Sequence, residues 1–148
     1  MRLSLQVQYA ICGVFDLAYN SRGEPVQVRV ISERQAIPGR YLEQIFRRLR
    51  QAGLVVSKRG PGGGYQLARE ASAITLRDVV EAVEGPLATT LAMEPAPELP
   101  AFRPDFVWES LAERFSDALA ATTLDALCRQ AERAAVPRAE TEAPMYFI

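Results

Sequence analysis

Residues 40–67 read RYLEQIFRRLRQAGLVVSKRGPGGGYQL, and they carry most of the information about the architecture. The first half has apolar residues at i, i+3, i+4 and i+7, which is the spacing of an amphipathic helix over residues 40–51. These apolar residues are Leu42, Ile45, Phe46 and Leu49. Gly53 stands where a helix-ending glycine is expected.

The second half of the same stretch predicts a β-hairpin. Residues 54–56 are short and largely β-branched, residues 60–64 are a glycine-rich turn, and residues 65–67 alternate like a returning strand. Lys58 and Arg59 are then expected at the tip of this hairpin.

Further helices are predicted on both sides of this stretch. Ser4 is a candidate cap for a first helix that ends near Tyr19. Residues 28–36 form a short helix, joined by a tight turn to the helix at 40–51. Thr75, with a carboxylate three residues later, indicates the capped start of another helix.

The predicted fold is therefore mainly α with a small β-hairpin. Two short helices, a tight turn and a hairpin with a basic tip describe a winged helix-turn-helix domain over residues 1–84. Residues 85–104 hold five of the ten prolines and are predicted to be an irregular linker. A long C-terminal helix and a shorter one are expected over residues 105–135, and residues 136–148 are predicted to be a tail.

The long helix carries an apolar seam with nearly heptad spacing, which is typical of a dimerisation helix. The residues of the seam are Trp108, Leu111, Phe115 and Leu119. The alternative is that this helix folds back onto the core of its own chain.

Charge is distributed unevenly along the 148 residues. Residues 1–70 carry eleven basic and five acidic side chains, a net +6, whereas residues 71–148 carry six and thirteen, a net −7. A basic half joined to an acidic half indicates a module that binds a polyanion, attached to an oligomerisation element. With only two cysteines and no apolar run near the roughly 18 residues of a membrane span, a cytoplasmic location is expected.

The absence of histidine makes an enzyme the less favoured class. No Ser/His or Cys/His nucleophile pair and no histidine-ligated metal site can be built from this chain. The glycine-rich turn is not followed by Lys-Ser/Thr, so it lacks the signature of a nucleotide-binding loop. Chemistry with carboxylates alone is the enzymatic alternative.

Five short motifs identify a family. They are MRLS at 1–4, ISERQ at 31–35, YLEQI at 41–45, LRQAGLV at 49–55 and RGPGGGY at 59–65. In this order and spacing, residues 1–85 resemble the IscR-like (Rrf-type) bacterial transcription regulators. The resemblance implies a homodimer that binds double-stranded DNA at an inverted-repeat operator, with repression as the expected outcome. The alternatives are a winged-helix module that binds another protein, and a basic face that is merely solvated.

The resemblance also assigns DNA contacts to the second helix and the wing. Gln44 is expected to read adenine and Glu43 the amine of a cytosine, while Arg59 enters a minor groove. The full set of expected DNA contacts is Arg40, Tyr41, Glu43, Gln44, Arg47, Arg50, Lys58, Arg59, Gly60, Gly62 and Gly63.

The chain departs from the family where many members bind an iron–sulfur cluster. Residues 85–104 contain no cysteine, and Asp105 stands where some relatives have a ligand histidine. No cofactor is therefore expected. Three sources of regulation are open: oxidation of Cys12, a small-molecule effector bound where the linker meets Trp108 and Tyr9, or no sensor at all.

Overall fold

The computed structural model describes residues 3–91 and 103–139. It confirms a mainly helical chain with one small antiparallel hairpin. In chain order the elements are α1 (Leu5–Asn20), α2 (Val28–Gln35), α3 (Gly39–Gln51), β1 (Val55–Lys58), β2 (Gly64–Leu67), α4 (Leu76–Glu84), α5 (Leu87–Leu91), α6 (Phe106–Ala120) and α7 (Leu124–Arg133). None of these helices combines the length and the apolar character that crossing a bilayer requires.

Helix α1 packs against α2, α3, α4, α7 and β2. As expected, Ser4 caps it, since the Ser4 hydroxyl accepts the Val7 N–H at 3.2 Å. Gly13 lets α3 approach closely, because a Cβ there would lie 2.9 Å from Leu42 Cδ1. The main core is built around the fully buried side chains Ala10, Val14, Leu17, Leu42, Phe46 and Leu49.

A buried carboxylate fixes α2 to α1. Asp16 has no exposed surface. It accepts hydrogen bonds from Arg34 Nη2 at 2.6 Å and Arg34 Nε at 3.2 Å. Gln35 Nε2 adds a third bond at 3.0 Å. These hydrogen bonds and the charge of Arg34 offset the desolvation cost of burying the carboxylate between the two helices.

The turn between α2 and α3 completes the predicted helix-turn-helix. Ala36 ends α2 in the left-handed conformation, with φ of 54°, and its successor Ile37 is buried. The Ile37 N–H returns to the Ser32 carbonyl at 3.1 Å. α3 then begins at Gly39, one residue before the predicted position.

The hairpin pairs β1 with β2 from Val55–Leu67 to Lys58–Gly64. One edge of the hairpin pairs with the segment between α1 and α2. There, Val26 and Tyr65 exchange both backbone hydrogen bonds, at 2.9 and 2.8 Å. The Tyr65 ring also packs 5.0 Å from the Phe46 ring, measured between centroids. The wing therefore contacts α3 through Tyr65 and Phe46, and it pairs with Val26, two residues before α2.

The predicted capping box at the start of α4 is confirmed, with Thr75 and Asp78 each bonding the other's backbone N–H. The start of α7 contacts the same segment, since the Leu124 N–H donates to the Ile74 carbonyl at 2.9 Å. Leu124 is fully buried in the main core. Part of the region predicted to dimerise, 105–135, thus also contributes to the core of its own chain through Leu124. The dimerisation role of this region stays a prediction.

The predicted irregular linker was wrong at residues 87–91, which form α5. Leu87 is buried in a second core with Val7, Val80 and Leu119, and this burial favours the helix. Pro86 directly precedes it, a place where proline is compatible with a helix. Residues 92–102 of the predicted linker lie outside the described residues.

Part of the predicted tail is ordered against the end of α1. Tyr19 Oη donates to the Val136 carbonyl at 2.8 Å, and Arg138 Nη1 donates to the Tyr19 carbonyl at 2.6 Å. Ala139 N–H adds a bond to Asn20 Oδ1 at 2.8 Å. A loose tail is therefore wrong for 136–139, and residues 140–148 lie outside the described part of the chain.

Candidate nucleic-acid interface

Helix α3 has one buried and one exposed face. Successive helical residues are rotated by about 100°, so the buried residues at 42, 45, 46 and 49 leave the opposite face to Arg40, Gln44, Arg47 and Gln51. Glu43 and Arg50 lie on the flank beside the wing, while Tyr41 and Arg48 lie on the flank beside α1. All eight of these side chains belong to exposed residues.

The wing provides a second exposed and cationic element. Lys58 ends β1, and the tight turn that follows is closed by the Gly63 N–H, which donates to the Gly60 carbonyl at 2.9 Å. A Cβ at Gly63 would lie 2.4 Å from the Lys58 carbonyl oxygen, so this turn needs glycine. Lys58, Arg59, Gly60 and Gly62 are all exposed.

The exposed face of α3 and the wing are linked into one structural unit. Arg50 Nη1 donates to Ser57 Oγ at 3.3 Å, which adds a side-chain link from α3 to β1. With the Tyr65 contacts described above, this link holds β1 and β2 beside α3. The unit presents five cationic side chains against the carboxylate of Glu43, namely Arg40, Arg47, Arg50, Lys58 and Arg59.

The start of α3 is pre-organised by aromatic contacts. The Arg40 guanidinium lies 4.8 Å from the centroid of the Tyr41 ring, and its Nη2 is 3.2 Å from Tyr41 Oη. Tyr9 of α1 lies against the other side of this group, with its ring centroid 6.5 Å from that of Tyr41. Arg40 and Tyr41 are thus arranged as a pair before any partner binds.

Sequence reasoning missed one member of the exposed face. Gln51 lines a shallow cleft of about 360 Å³ with Gln44, Arg47 and Arg48. Gln51 lies four residues after Arg47 and seven after Gln44, so the same helical spacing that identified the others would have identified it.

The predicted dimerisation seam on α6 divides into two parts. Phe115 and Leu119 pack into the second core of their own chain. Trp108 and Leu111, by contrast, are 36% and 48% exposed. Because they are three residues apart, their side chains are neighbours on the helix surface. The C-terminal half of α6 therefore packs on its own chain, as in the alternative of a helix that folds back. The N-terminal half presents apolar side chains at the surface.

The candidate sensor residues Cys12, Asp105 and Trp108 lie on two elements, since Asp105 and Trp108 share the first turn of α6, where the Trp108 N–H donates to the Asp105 carbonyl at 3.3 Å. Cys12 is on the exposed face of α1, where partial burial of its sulfur raises the pKa of the thiol and disfavours the reactive thiolate at neutral pH. Asp105 precedes α6 and pairs with Arg103, Nε to Oδ1 at 2.6 Å. Trp108 lies on the surface of α6.

The effector site expected where the linker meets Trp108 and Tyr9 stays a prediction, because residues 92–102 of the linker lie outside the described residues. Tyr9 itself packs beside Tyr41 of α3. A cavity of about 510 Å³ does lie between α4, α5 and α6. Its lining includes Arg77, Glu81, Leu87, Glu113 and Asp117, and it contains neither Trp108 nor Tyr9.

Comparison with known proteins gives a consistent result. Residues 3–130 match the protein family described as Rrf2, iron-dependent transcriptional regulator. The HTH-type transcriptional regulator IscR of Escherichia coli is 51% identical over 84 residues, which are 57% of this chain. The chain spans about half the length of this relative, since the match covers 52% of it.

Solved structures extend the similarity over nearly the whole chain. The structure of T. potens IscR is 33% identical with a TM-score of 0.76, covering 94% of each chain. The structure of CymR, the global cysteine regulator of B. subtilis, is 30% identical with a TM-score of 0.72, covering 88% of this chain and 98% of that one.

Proposed function

The chain belongs to the Rrf2 family of transcriptional regulators, and from this premise we propose that it binds double-stranded DNA at specific operators through α3 and the wing. The observation that carries this proposal is the continuous exposed surface formed by the outer face of α3 and the wing tip. That surface is cationic and is fixed by the links from Tyr65 to Val26 and from Arg50 to Ser57. A polyanion with a groove wide enough for a helix is its natural partner.

In this proposal α3 enters the major groove and reads base edges. Gln44, at the centre of the outer face, offers the amide pair that matches the N6 and N7 atoms of adenine. Glu43 offers a carboxylate acceptor for the amine of cytosine. Arg47, beside Gln44 on the same face, is suited to a phosphate or to the O6 and N7 atoms of guanine.

The wing adds contacts outside the major groove. Arg59 follows the end of β1 and reaches towards a flanking minor groove, where the negative potential favours arginine. Lys58 is suited to a phosphate. The glycines Gly60, Gly62 and Gly63 leave the turn without side chains, so its backbone can approach the DNA closely.

We also propose a cytoplasmic homodimer that represses transcription from an inverted repeat. The exposed pair Trp108 and Leu111 supports self-association, because neighbouring apolar side chains on a helix surface often mark a protein contact. Two copies then present two reading helices to half-sites about one turn or more apart on an operator of about 25 base pairs. A dimer that covers this length of DNA can block polymerase.

The family description mentions iron, but the cysteines of this chain do not suit an iron–sulfur cluster. The whole sequence has two cysteines and no histidine, whereas such clusters are held mainly by several thiolates. Cys12 lies on α1 and Cys128 on α7, and no group of three or more potential ligands suited to a metal occurs among residues 3–91 and 103–139. We therefore propose regulation without a typical cluster.

The first test replaces the wing arginine. Arg59→Ala should weaken operator binding by about 1–3 kcal/mol, because one minor-groove contact and its electrostatic attraction are lost. The measurement is a titration of labelled operator DNA at fixed salt.

Arg129→Ala is the matched control, since Arg129 is an exposed arginine on α7, where it pairs with Asp125 at 3.5 Å. It should leave the affinity within about twofold. Equal affinities for Arg59→Ala and the wild type would remove the wing from the mechanism.

A further inference from the structure

The arginines of α3 do not all face the same way. Arg47 lies on the outer face, and Arg50 reaches the wing at Ser57. Arg48 lies on the flank beside α1, where its Nη1 donates to Gln6 Oε1 at 3.0 Å and to the Val83 carbonyl at 3.1 Å. Nη1 carries two N–H groups, so both of them can be used by these two oxygens.

The carbonyl that Arg48 meets belongs to the last turn of α4. Such carbonyls have no partner within their own helix and form the negative end of the helix dipole, so a guanidinium there is a favourable cap. The next residue, Glu84, is bonded by the hydroxyl of Ser4, the residue that caps α1. The end of α4 is thus linked to the start of α1 and to the middle of the reading helix.

We propose that Arg48 is a positioning residue that locks α3 against the end of α4 and so sets operator specificity without itself contacting a phosphate. The inference rests on the proposed DNA-binding function. It assigns adjacent exposed arginines different roles: Arg47 faces the DNA, whereas the guanidinium of Arg48 is bonded to Gln6 and to the Val83 carbonyl. Because α5 begins two residues after Gly85, this lock also joins the reading helix to the point at which the chain leaves the winged domain.

Specific and non-specific binding respond differently to such a lock. Paired hydrogen bonds to base edges tolerate only about 0.5 Å or 10–20° of misplacement, so a loosened α3 loses them. Attraction to phosphates depends mainly on the number of charges and survives small rotations of the helix. A positioning residue therefore affects specific affinity alone, whereas a phosphate contact affects both affinities.

The test compares Arg48→Gln with Arg47→Gln on operator DNA and on an unrelated duplex, across a salt series. Arg48→Gln should weaken operator binding about tenfold, the size of one lost paired base contact. Affinity for the unrelated duplex and the dependence of log affinity on log salt should stay as in the wild type. Arg47→Gln should weaken both and reduce the salt slope by about 0.9.

Two further variants separate positioning from a general loss of structure. Arg48→Lys keeps a donor at this site and should restore part of the operator affinity. Gln6→Met removes one of the two partners of Arg48 and should weaken operator binding less than Arg48→Gln does. The double variant should be no weaker than Arg48→Gln alone, because Arg48→Gln already removes the bond to Gln6.

Each outcome decides between the two proposals. If Arg48→Gln weakens binding to both the operator and the unrelated duplex and reduces the salt slope by about 0.9, then Arg48 is a phosphate contact. This result overturns the inference but not the proposed function. If the wild-type protein binds the operator and the Arg48→Gln variant binds it equally well, the inference is also overturned. A wild-type protein that binds no DNA overturns the proposed function, and the inference with it.

Discussion

Asp16→Asn should lower the free energy of unfolding by about 3 kcal/mol, because removing one partner of a buried ion pair leaves the other uncompensated. Asp16 is fully buried and accepts three hydrogen bonds, two from Arg34 and one from Gln35. An asparagine side chain would turn an N–H group towards these donors. Since the bonds join α1 to α2, operator binding should fall as well. Chemical denaturation followed by far-ultraviolet circular dichroism measures the loss.

Glu33→Gln is the matched control for this prediction. It makes the same change of carboxylate to amide in a pair with Arg29, but both of those side chains are mostly exposed, at 67% and 70%. Exposed pairs of this kind contribute about 0–1 kcal/mol. If the two variants lose the same stability, the Asp16 cluster does not hold α2 in place.

Gly64→Ala should be the most damaging single change in the wing, with a loss of about 3 kcal/mol from steric and backbone strain. A Cβ at this position would lie 2.4 Å from both the carbonyl carbon and the carbonyl oxygen of Val26. The backbone there also has φ of +147°, which residues other than glycine rarely adopt. Relief of the clash requires the wing to move away from Val26, which breaks its bridge to Tyr65 and displaces Arg59.

Gly62→Ala isolates the contribution of conformation. Gly62 also has a positive φ, of 75°, but no atom lies within 4 Å of a Cβ built there. This variant should cost only about 1–2 kcal/mol, the penalty of a left-handed residue. Thermal unfolding of both variants provides the measurement, and equal losses would show that the approach to Val26 is not tight.

Local signals in the sequence predicted the winged part of the fold well. The apolar spacing of α3, the glycine that ends it and the glycine-rich turn each act within a few residues, as does the capping box at Thr75 and Asp78. Propensity and spacing determine such features directly, so no knowledge of distant contacts was needed.

Features that depend on distant contacts were not predictable in this way. The burial of Leu87 in the second core made α5 a helix despite its proline-rich surroundings. Leu124 joins the core through a backbone bond to Ile74, fifty residues earlier in the chain. The pairing of Asp16 with Arg34 is likewise tertiary, since it joins separate helices.

The sequence predicted which residues of α3 are exposed, apart from Gln51, and their contacts with DNA stay a prediction. All of the charged and polar residues expected to meet DNA on α3 are exposed. Helical periodicity places Arg48 away from Arg47, but it could not predict the bonds of Arg48 to Gln6 and to the Val83 carbonyl. Such bonds depend on which neighbour each flank of α3 meets. Tyr41 meets Tyr9, and Arg50 meets the wing.

The most direct test of DNA reading by α3 and the wing is selection of bound fragments from the source genome by the purified protein across a salt series. We expect a shared inverted repeat, with affinity that falls steeply as salt increases. Gln44→Ala in the same experiment should select a motif with altered base preference at one position of each half-site. No sequence enriched above background, even at low salt, would contradict DNA reading and would favour a winged-helix module that binds another protein.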